Sequence, residues 1–273
     1  MRSLGRARLE IAGAAILFST GGAVIKATTF SGWQLAGLRS LVAAVVVLLL
    51  LPASRRGWSW RTLLVAVAYA ACLILYVTAN KLTTAANTIF LQSTGPIYIL
   101  LLAPWLLQER ISREDLGVLA VMIVGLLCFF AGADRPLRSA PDPSTGNILA
   151  ALSGVAWAFV VMGLRWLGRA SGPDVADPGM SAVALGNLLA AVVALSFSGA
   201  LGHPTATDWA AVAFLGVVQI GIAYLLMSRA VRVLPAFEAS VLLLLEPALN
   251  PLWAWLVQGE GPGGWALAGG GLI

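Results

Sequence analysis

The sequence predicts an all-α integral membrane protein with ten transmembrane helices in two five-helix halves. Three observations predict it: the composition, ten apolar runs of membrane-crossing length, and an internal repeat. Of 273 residues, 59% are hydrophobic and 11% are charged, against roughly 25% charged in an ordinary soluble domain. Mean hydropathy is +0.89. A soluble chain of this length needs a charged shell, and the residues to build one are missing. Composition therefore argues against soluble enzymes, disordered proteins and nucleic-acid binders, despite a formal net charge of +5.

A bilayer core about 30 Å thick takes about 20 apolar residues of helix. Such runs fall near 9–28, 32–52, 61–81, 85–107, 115–132, 147–168, 179–200, 208–229, 236–257 and from 264 onward. The breaks carry proline, glycine, arginine or aspartate, as at Arg135-Pro136 and Gly202-His203-Pro204. The first run is too long, and followed too closely by others, for a cleaved signal peptide. Ile273 falls only about nine residues into the tenth run, too few to cross at ~1.5 Å per residue, so the natural chain is expected to continue.

Orientation follows from the cations. With the N-terminus in the cytoplasm, the cytoplasmic ends hold Arg2, Arg6, Arg8, Arg55, Arg56, Arg61, Arg110, Arg113, Arg165, Arg169, Arg229 and Arg232. The outer ends hold Lys26, Lys81, Arg135 and Arg138, and Arg39 lies inside the second run. Twelve against four is a positive-inside bias. Nine of the ten tryptophans lie at or close to run ends, as an interfacial aromatic belt does, and Trp157 alone sits mid-run.

Shifted by 151 residues, the chain lies over itself: Pro96 meets Pro247 and Glu109 meets Glu260. A proline and a glutamate thirteen residues apart thus recur in both halves. Runs three and four match runs eight and nine, so the unit is five spans, and an odd unit must insert its second copy upside down. Inverted repeats place a site near the midplane between the halves in many secondary transporters. The expected division is 1–132 for the first repeat, 133–146 for an outer linker and 147–273 for the second.

Both halves end alike, in Gly95-Pro96 to Gln108-Glu109-Arg110 and in Leu245-Glu246-Pro247 to Gly259-Glu260. This pattern resembles the EamA-type members of the drug/metabolite transporter superfamily, over essentially the whole chain. By general similarity it looks most like the bacterial YddG-type exporters of aromatic amino acids and methyl viologen. The resemblance implies two inverted EamA repeats forming a ten-helix basket around a central cavity, in a bacterial inner membrane with the N-terminus cytoplasmic. Runs 1, 3, 4, 6, 8 and 9 would build the cavity. One chain then forms a complete pathway, so a monomer suffices.

Polar groups at the midplane should face the bundle interior. Ser19 and Thr20, Gln92 and Tyr98, Asn187, Gln219 and Tyr224, and Glu246 lie near run centres. Ser19, Thr20 and Asn187 equally suit hydrogen bonds between packed helices, whereas Gln92 and Gln219 favour the cavity. Trp157, with Tyr76, Tyr98 and Tyr224, supplies aromatic faces for aromatic side chains or quaternary ammonium groups, or ordinary packing. Pro96 and Pro247 remove helix hydrogen bonds and free the carbonyls of Gln92 and Leu243, as paired hinges or as static kinks. Glu246 has three possible roles: binding an ammonium, coupling to protons, or hydrogen-bonding the broken backbone beside Pro247. The resemblance favours the third.

Cys72 and Cys128 lie in apolar stretches and suggest neither a disulfide nor a metal framework. His203 reads as a solvated loop residue. No P-loop is present, so ATP does not drive transport through this chain, and no cofactor, metal, nucleic-acid partner or enzymatic activity is expected. The expected function is alternating-access export of amino acids, aromatic ones included, and of related metabolites or quaternary ammonium drugs. Two alternatives stay open: a channel-like or receptor protein sharing the repeat, and a sugar-nucleotide or phosphate-ester carrier, for which Arg39 is the one candidate cation.

Overall fold

The structure is a computed structural model that describes residues 4–131, 140–169, 177–249, 253 and 268. The first half contains α1 (Leu4–Ser19), α2 (Gly21–Ala27), α3 (Gly32–Leu50), α4 (Trp60–Leu82), α5 (Ala85–Gln92), α6 (Gly95–Leu106) and α7 (Arg113–Ala131). The second contains α8 (Pro143–Arg169), α9 (Pro178–Ser196), α10 (Ala206–Phe214), a π-helical segment (Leu215–Ile222), α11 (Ala223–Ala230) and α12 (Ala236–Leu242). Polar residues in the breaks start these helices. Ser31 and Gln34 form a capping box on α3, Ser59 caps α4, Thr84 caps α5, and Asp177 with Pro178 opens α9.

Among the described residues, seven helical stretches are long and apolar enough to cross a membrane, not ten. Three stretches combine shorter helices: Leu4–Ala27, Asn87–Leu106 and Ala206–Ala230. The expected fifth run corresponds to α7, which opens on Arg113, Glu114 and Asp115 and is not one of the seven. The expected ninth run is described at 236–249 and at residue 253. The expected tenth run, apart from residue 268, and residues 133–139 of the expected 133–146 linker lie outside the described residues.

Core packing joins the halves rather than separating them. Helix α4 packs on α8 and α9, α3 on α9, and α1 on α11. Large apolar side chains such as Leu64, Val67, Leu101 and Val192 remain exposed on the outside of the bundle, as a lipid-facing surface requires.

The repeat is visible in two matching sets of contacts. Lys26, at the end of α2, donates to the Thr83 carbonyl between α4 and α5 (2.7 Å). Arg165, 139 residues later near the end of α8, donates to the carbonyls of Val231 and Arg232 between α11 and α12 (3.1 and 2.9 Å). Lys81 reaches the Thr28 carbonyl (2.7 Å), and Arg232, 151 residues later, pairs with Asp177. The two sets occupy opposite ends of the bundle. Asp142, just before α8, donates its backbone N–H to the Leu82 carbonyl beside the lysines (3.1 Å), whereas Arg169 at the end of α8 reaches Leu107 and Glu109. Helix α8 therefore runs opposite to α1 and α2.

The paired prolines follow short interruptions of the helix, at residues 93–94 and 243–244, where the backbone of Ser93, Thr94 and Leu243 stays close to helical. Helix α5 ends at Gln92, a turn follows, and α6 restarts at Gly95 with Pro96 in its first turn. After α12 the chain turns at residues 243–244, and helix resumes over 245–249 with Pro247 near its start. Proline suits the first turn because its missing N–H has no intrahelical partner there.

Candidate functional site

A cavity lies between the halves. Its polar and charged lining comes from Arg39 on α3, Gln92 at the end of α5, Gln219 in the π-helical segment, and Glu246 just after the second break. Its aromatic lining is Phe18, Tyr76, Trp157 and Tyr224. Measured to the centres of water-sized spheres its volume is about 30 Å³, room for about two waters. That is far smaller than an amino acid, so admitting a solute requires the surrounding helices to move.

Each side chain is placed by local features. The π-helical turn widens the helix at Leu215–Ile222, a distortion that often marks functional positions, and presents Gln219 inward. Gly21 makes room for it: a Cβ there would stand 2.5 Å from the Gln219 Nε2. Gln219 Oε1 in turn accepts from Arg39 Nη1 (3.3 Å), and Arg39 is only 1% exposed. Trp157 rests on Gly95, where a Cβ would approach the indole to 2.9 Å. The aromatic rings meet edge to face, with Phe18–Trp157 centroids 5.8 Å apart and Phe18–Tyr224 5.0 Å apart. Among the described residues the Gln92 side chain makes a soft contact, from Nε2 to the Cys72 sulfur at 3.7 Å.

Gln92, Tyr76, Trp157, Gln219, Tyr224 and Glu246, all named from the sequence, come together around this cavity. Ser19, Thr20 and Tyr98 do not line it. The Ser19 hydroxyl donates to the Ile16 carbonyl (2.6 Å) and accepts from the Trp253 indole N–H (2.8 Å), and Thr20 donates to the Leu17 carbonyl (2.7 Å). Tyr98 is half-buried against the main apolar core. Asn187 donates to the Tyr69 hydroxyl and the Val183 carbonyl, a bond between packed helices. Pro96 and Pro247 are buried and are not among the lining residues. The carbonyls of Leu91 and Gln92 face Gly154 of α8, where a Cβ would meet them at 2.8 and 3.2 Å.

With half-sized units repeated across the chain and a cavity at their junction, the family match is decisive. Residues 7–131 and 144–273 each match the EamA-like transporter family. The chain belongs to that family. This EamA-like transporter is thus a multi-pass membrane protein of the drug/metabolite superfamily, whose members move small molecules and are not enzymes. No curated protein sequence matches it. One similar solved structure, described only as a crystal structure of a protein, superimposes with a TM-score of 0.79 at 19% identity. The match covers 99% of this transporter and 94% of the other chain, and at that identity it speaks for the fold alone.

Five lining residues were not among the expected site residues: Phe18, Arg39, Cys72, Leu73 and Ile220. Phe18 lies 139 residues before Trp157, the same interval that separates Lys26 from Arg165. It is the first-half counterpart of Trp157, and aligning the first run with the sixth would have found it. Arg39 was legible as a cation inside a span, which is a functional signal by default, but its neighbours were not.

Proposed function

We propose that this EamA-like transporter is a secondary carrier that exports amino acids, aromatic ones included, and related small metabolites or quaternary ammonium compounds. The observation that carries this reading is the composition of the cavity. Aromatic faces from both halves meet a guanidinium, a carboxylate and two amides at one place. Aromatic faces suit aromatic side chains and cationic groups, and the polar groups suit the charged end of an amino acid. The substrate-binding set is Gln92, Tyr76, Trp157, Gln219 and Tyr224, with Phe18 added. Ser19, Thr20 and Tyr98 fall in the surrounding shell, while Pro96 and Pro247 shape the breaks. This agrees with the resemblance to YddG-type exporters.

Transport proceeds by alternating access between two inverted repeats, 1–132 and 147–273, in a ten-helix basket whose N-terminus is cytoplasmic. Under that orientation Lys26 and Lys81 tie the outer end, while Arg165, Arg169 and Glu109 tie the cytoplasmic end. With both ends tied and the cavity contracted, the arrangement fits a state between the two open ones. One chain in an inner membrane suffices.

A second reading, a phosphate-ester carrier, draws on Arg39 in the cavity wall. A single guanidinium facing a carboxylate suits a dianion poorly, because the carboxylate repels it. Counterflow in proteoliposomes decides. Labelled phenylalanine accumulating against preloaded unlabelled amino acid, with no competition from nucleotide sugars, supports the exporter. Uptake of labelled solute without trans-stimulation sinks the carrier mechanism in favour of a channel.

A further inference from the structure

The cavity holds one permanent cation and one carboxylate that are not partners of each other. Arg39 stays charged under all ordinary conditions and is 1% exposed. Its Nη1 donates to Gln219, and its Nε is buried without a hydrogen-bond partner. Among the described residues no carboxylate pairs with it, although Arg165 pairs with Glu109, Arg8 with Glu238 and Arg232 with Asp177. An unpaired buried charge is costly and persists where a ligand or solvent completes it. The engaged Nη1 leaves the Nε–Nη2 edge, the fork that takes a carboxylate through two parallel hydrogen bonds.

Glu246 stands on the same cavity from the opposite half. Its carboxylate makes no hydrogen bond among the described residues. Its first-half counterpart is Gly95, 151 residues earlier, which holds the Trp157 ring instead of a second acid. The repeat is therefore broken at the site, with a guanidinium contributed by one half and a carboxyl group by the other.

We infer that Arg39 and Glu246 are the two poles of a zwitterion site, Arg39 receiving the substrate carboxylate and Glu246 its ammonium, with the substrate side chain against Trp157 and Tyr224. This deepens the amino-acid reading above and rests on it. A simple cation leaves Arg39 unmatched, a simple anion leaves Glu246 unmatched, and a zwitterion matches both with no net charge brought into the membrane.

The test compares L-phenylalanine with two analogues that each lack one charged end, phenethylamine and 3-phenylpropionate. All three, and a nucleotide sugar, compete against labelled phenylalanine counterflow in proteoliposomes of the wild-type protein. Each one-ended analogue is expected to bind at least about tenfold more weakly, the scale of a lost charge-assisted hydrogen bond. In Arg39→Gln, phenylalanine should weaken to the level of phenethylamine while phenethylamine itself is unchanged. In Glu246→Gln, it should weaken toward 3-phenylpropionate. Thermal stability in detergent confirms that the variants fold, and if either does not, the wild-type series decides alone. Analogues as potent as phenylalanine overturn the two-pole site and leave the exporter reading standing. No labelled-phenylalanine counterflow in folded wild-type protein, with counterflow of a labelled nucleotide sugar instead, overturns both.

Discussion

Trp157 is held in the cavity by an absence, the missing Cβ of Gly95, and by edge contacts to Phe18 and Tyr224. Stacking of an aromatic substrate on its ring is worth about 0.5–1.5 kcal/mol beyond burial, a few-fold to about tenfold in affinity. Trp157→Leu should weaken competition by phenylalanine or a quaternary ammonium by that factor and leave threonine nearly unchanged. Equal losses for both kinds of competitor would mean a general packing defect. Gly21 tests the support of Arg39. In Gly21→Ala the new methyl displaces the flexible end of Gln219 and removes a hydrogen bond to a charged group, a loss of about 1.5–3 kcal/mol where the group stays unpaired. Phenylalanine affinity should fall with Arg39 itself intact. Unchanged inhibition constants in well-folded Gly21→Ala would remove Gln219 from the positioning of Arg39.

Helices α5 and α6 are two pieces of one membrane stretch, and the carbonyls exposed at their junction are covered by Gly154 of α8. Backbone polar groups at membrane depth are tolerated where protein covers them. Gly154→Ala pushes a methyl against backbone rather than a movable side chain, so it should destabilise by about 1–3 kcal/mol. Thermal unfolding in detergent reads this directly, and a wild-type midpoint would mean the break tolerates movement. At the far end of α6, Glu109 accepts from Arg165 (3.0 Å), pairs with Arg169 (2.9 Å) and accepts the Ala236 N–H that opens α12 (3.0 Å). One carboxylate thus ties the end of α6, in the first half, to two helices of the second. Arg165 is largely buried, so Glu109→Gln strands much of its charge and should cost roughly 3 kcal/mol. Hydrogen exchange should rise over 107–113 and 231–238 and stay unchanged over α3. Uniform exchange across the chain would mean that this contact does not hold one end by itself.

In the whole molecule the two clusters, Lys26–Lys81 and Glu109–Arg165–Arg169, lie at opposite ends of the bundle, on either side of one small cavity. Releasing one end should open the cavity on that side alone. Cys72 lines the cavity and its thiol is free, so it reports the opening in a Cys128→Ser background. A membrane-impermeant thiol reagent should modify Cys72 severalfold faster from one side in Glu109→Gln. In Lys26→Met the faster side should be the opposite one. Faster reaction from the same side in both variants would contradict alternating access between the ends.

Membrane class and the two-fold repeat were legible in the amino-acid order, whereas seven stretches among the described residues, not ten, are long and apolar enough to cross a membrane. Hydropathy accumulates locally along a run, and proline and glutamate spacing survives without knowledge of any contact. Helix interruptions were legible as prolines, though only the approach of Gly154 shows what covers the carbonyls at the first of them. Direction was not legible. Successive residues on a helix point about 100° apart, so Phe18, Ser19 and Thr20 share one depth but not one face. Phe18 reaches the cavity, while the Ser19 and Thr20 hydroxyls bond within their own helix turn. Arg39 and Glu246 are 207 residues apart in sequence. They share a cavity only because the rotation of each helix about its axis is settled by the neighbours it packs against.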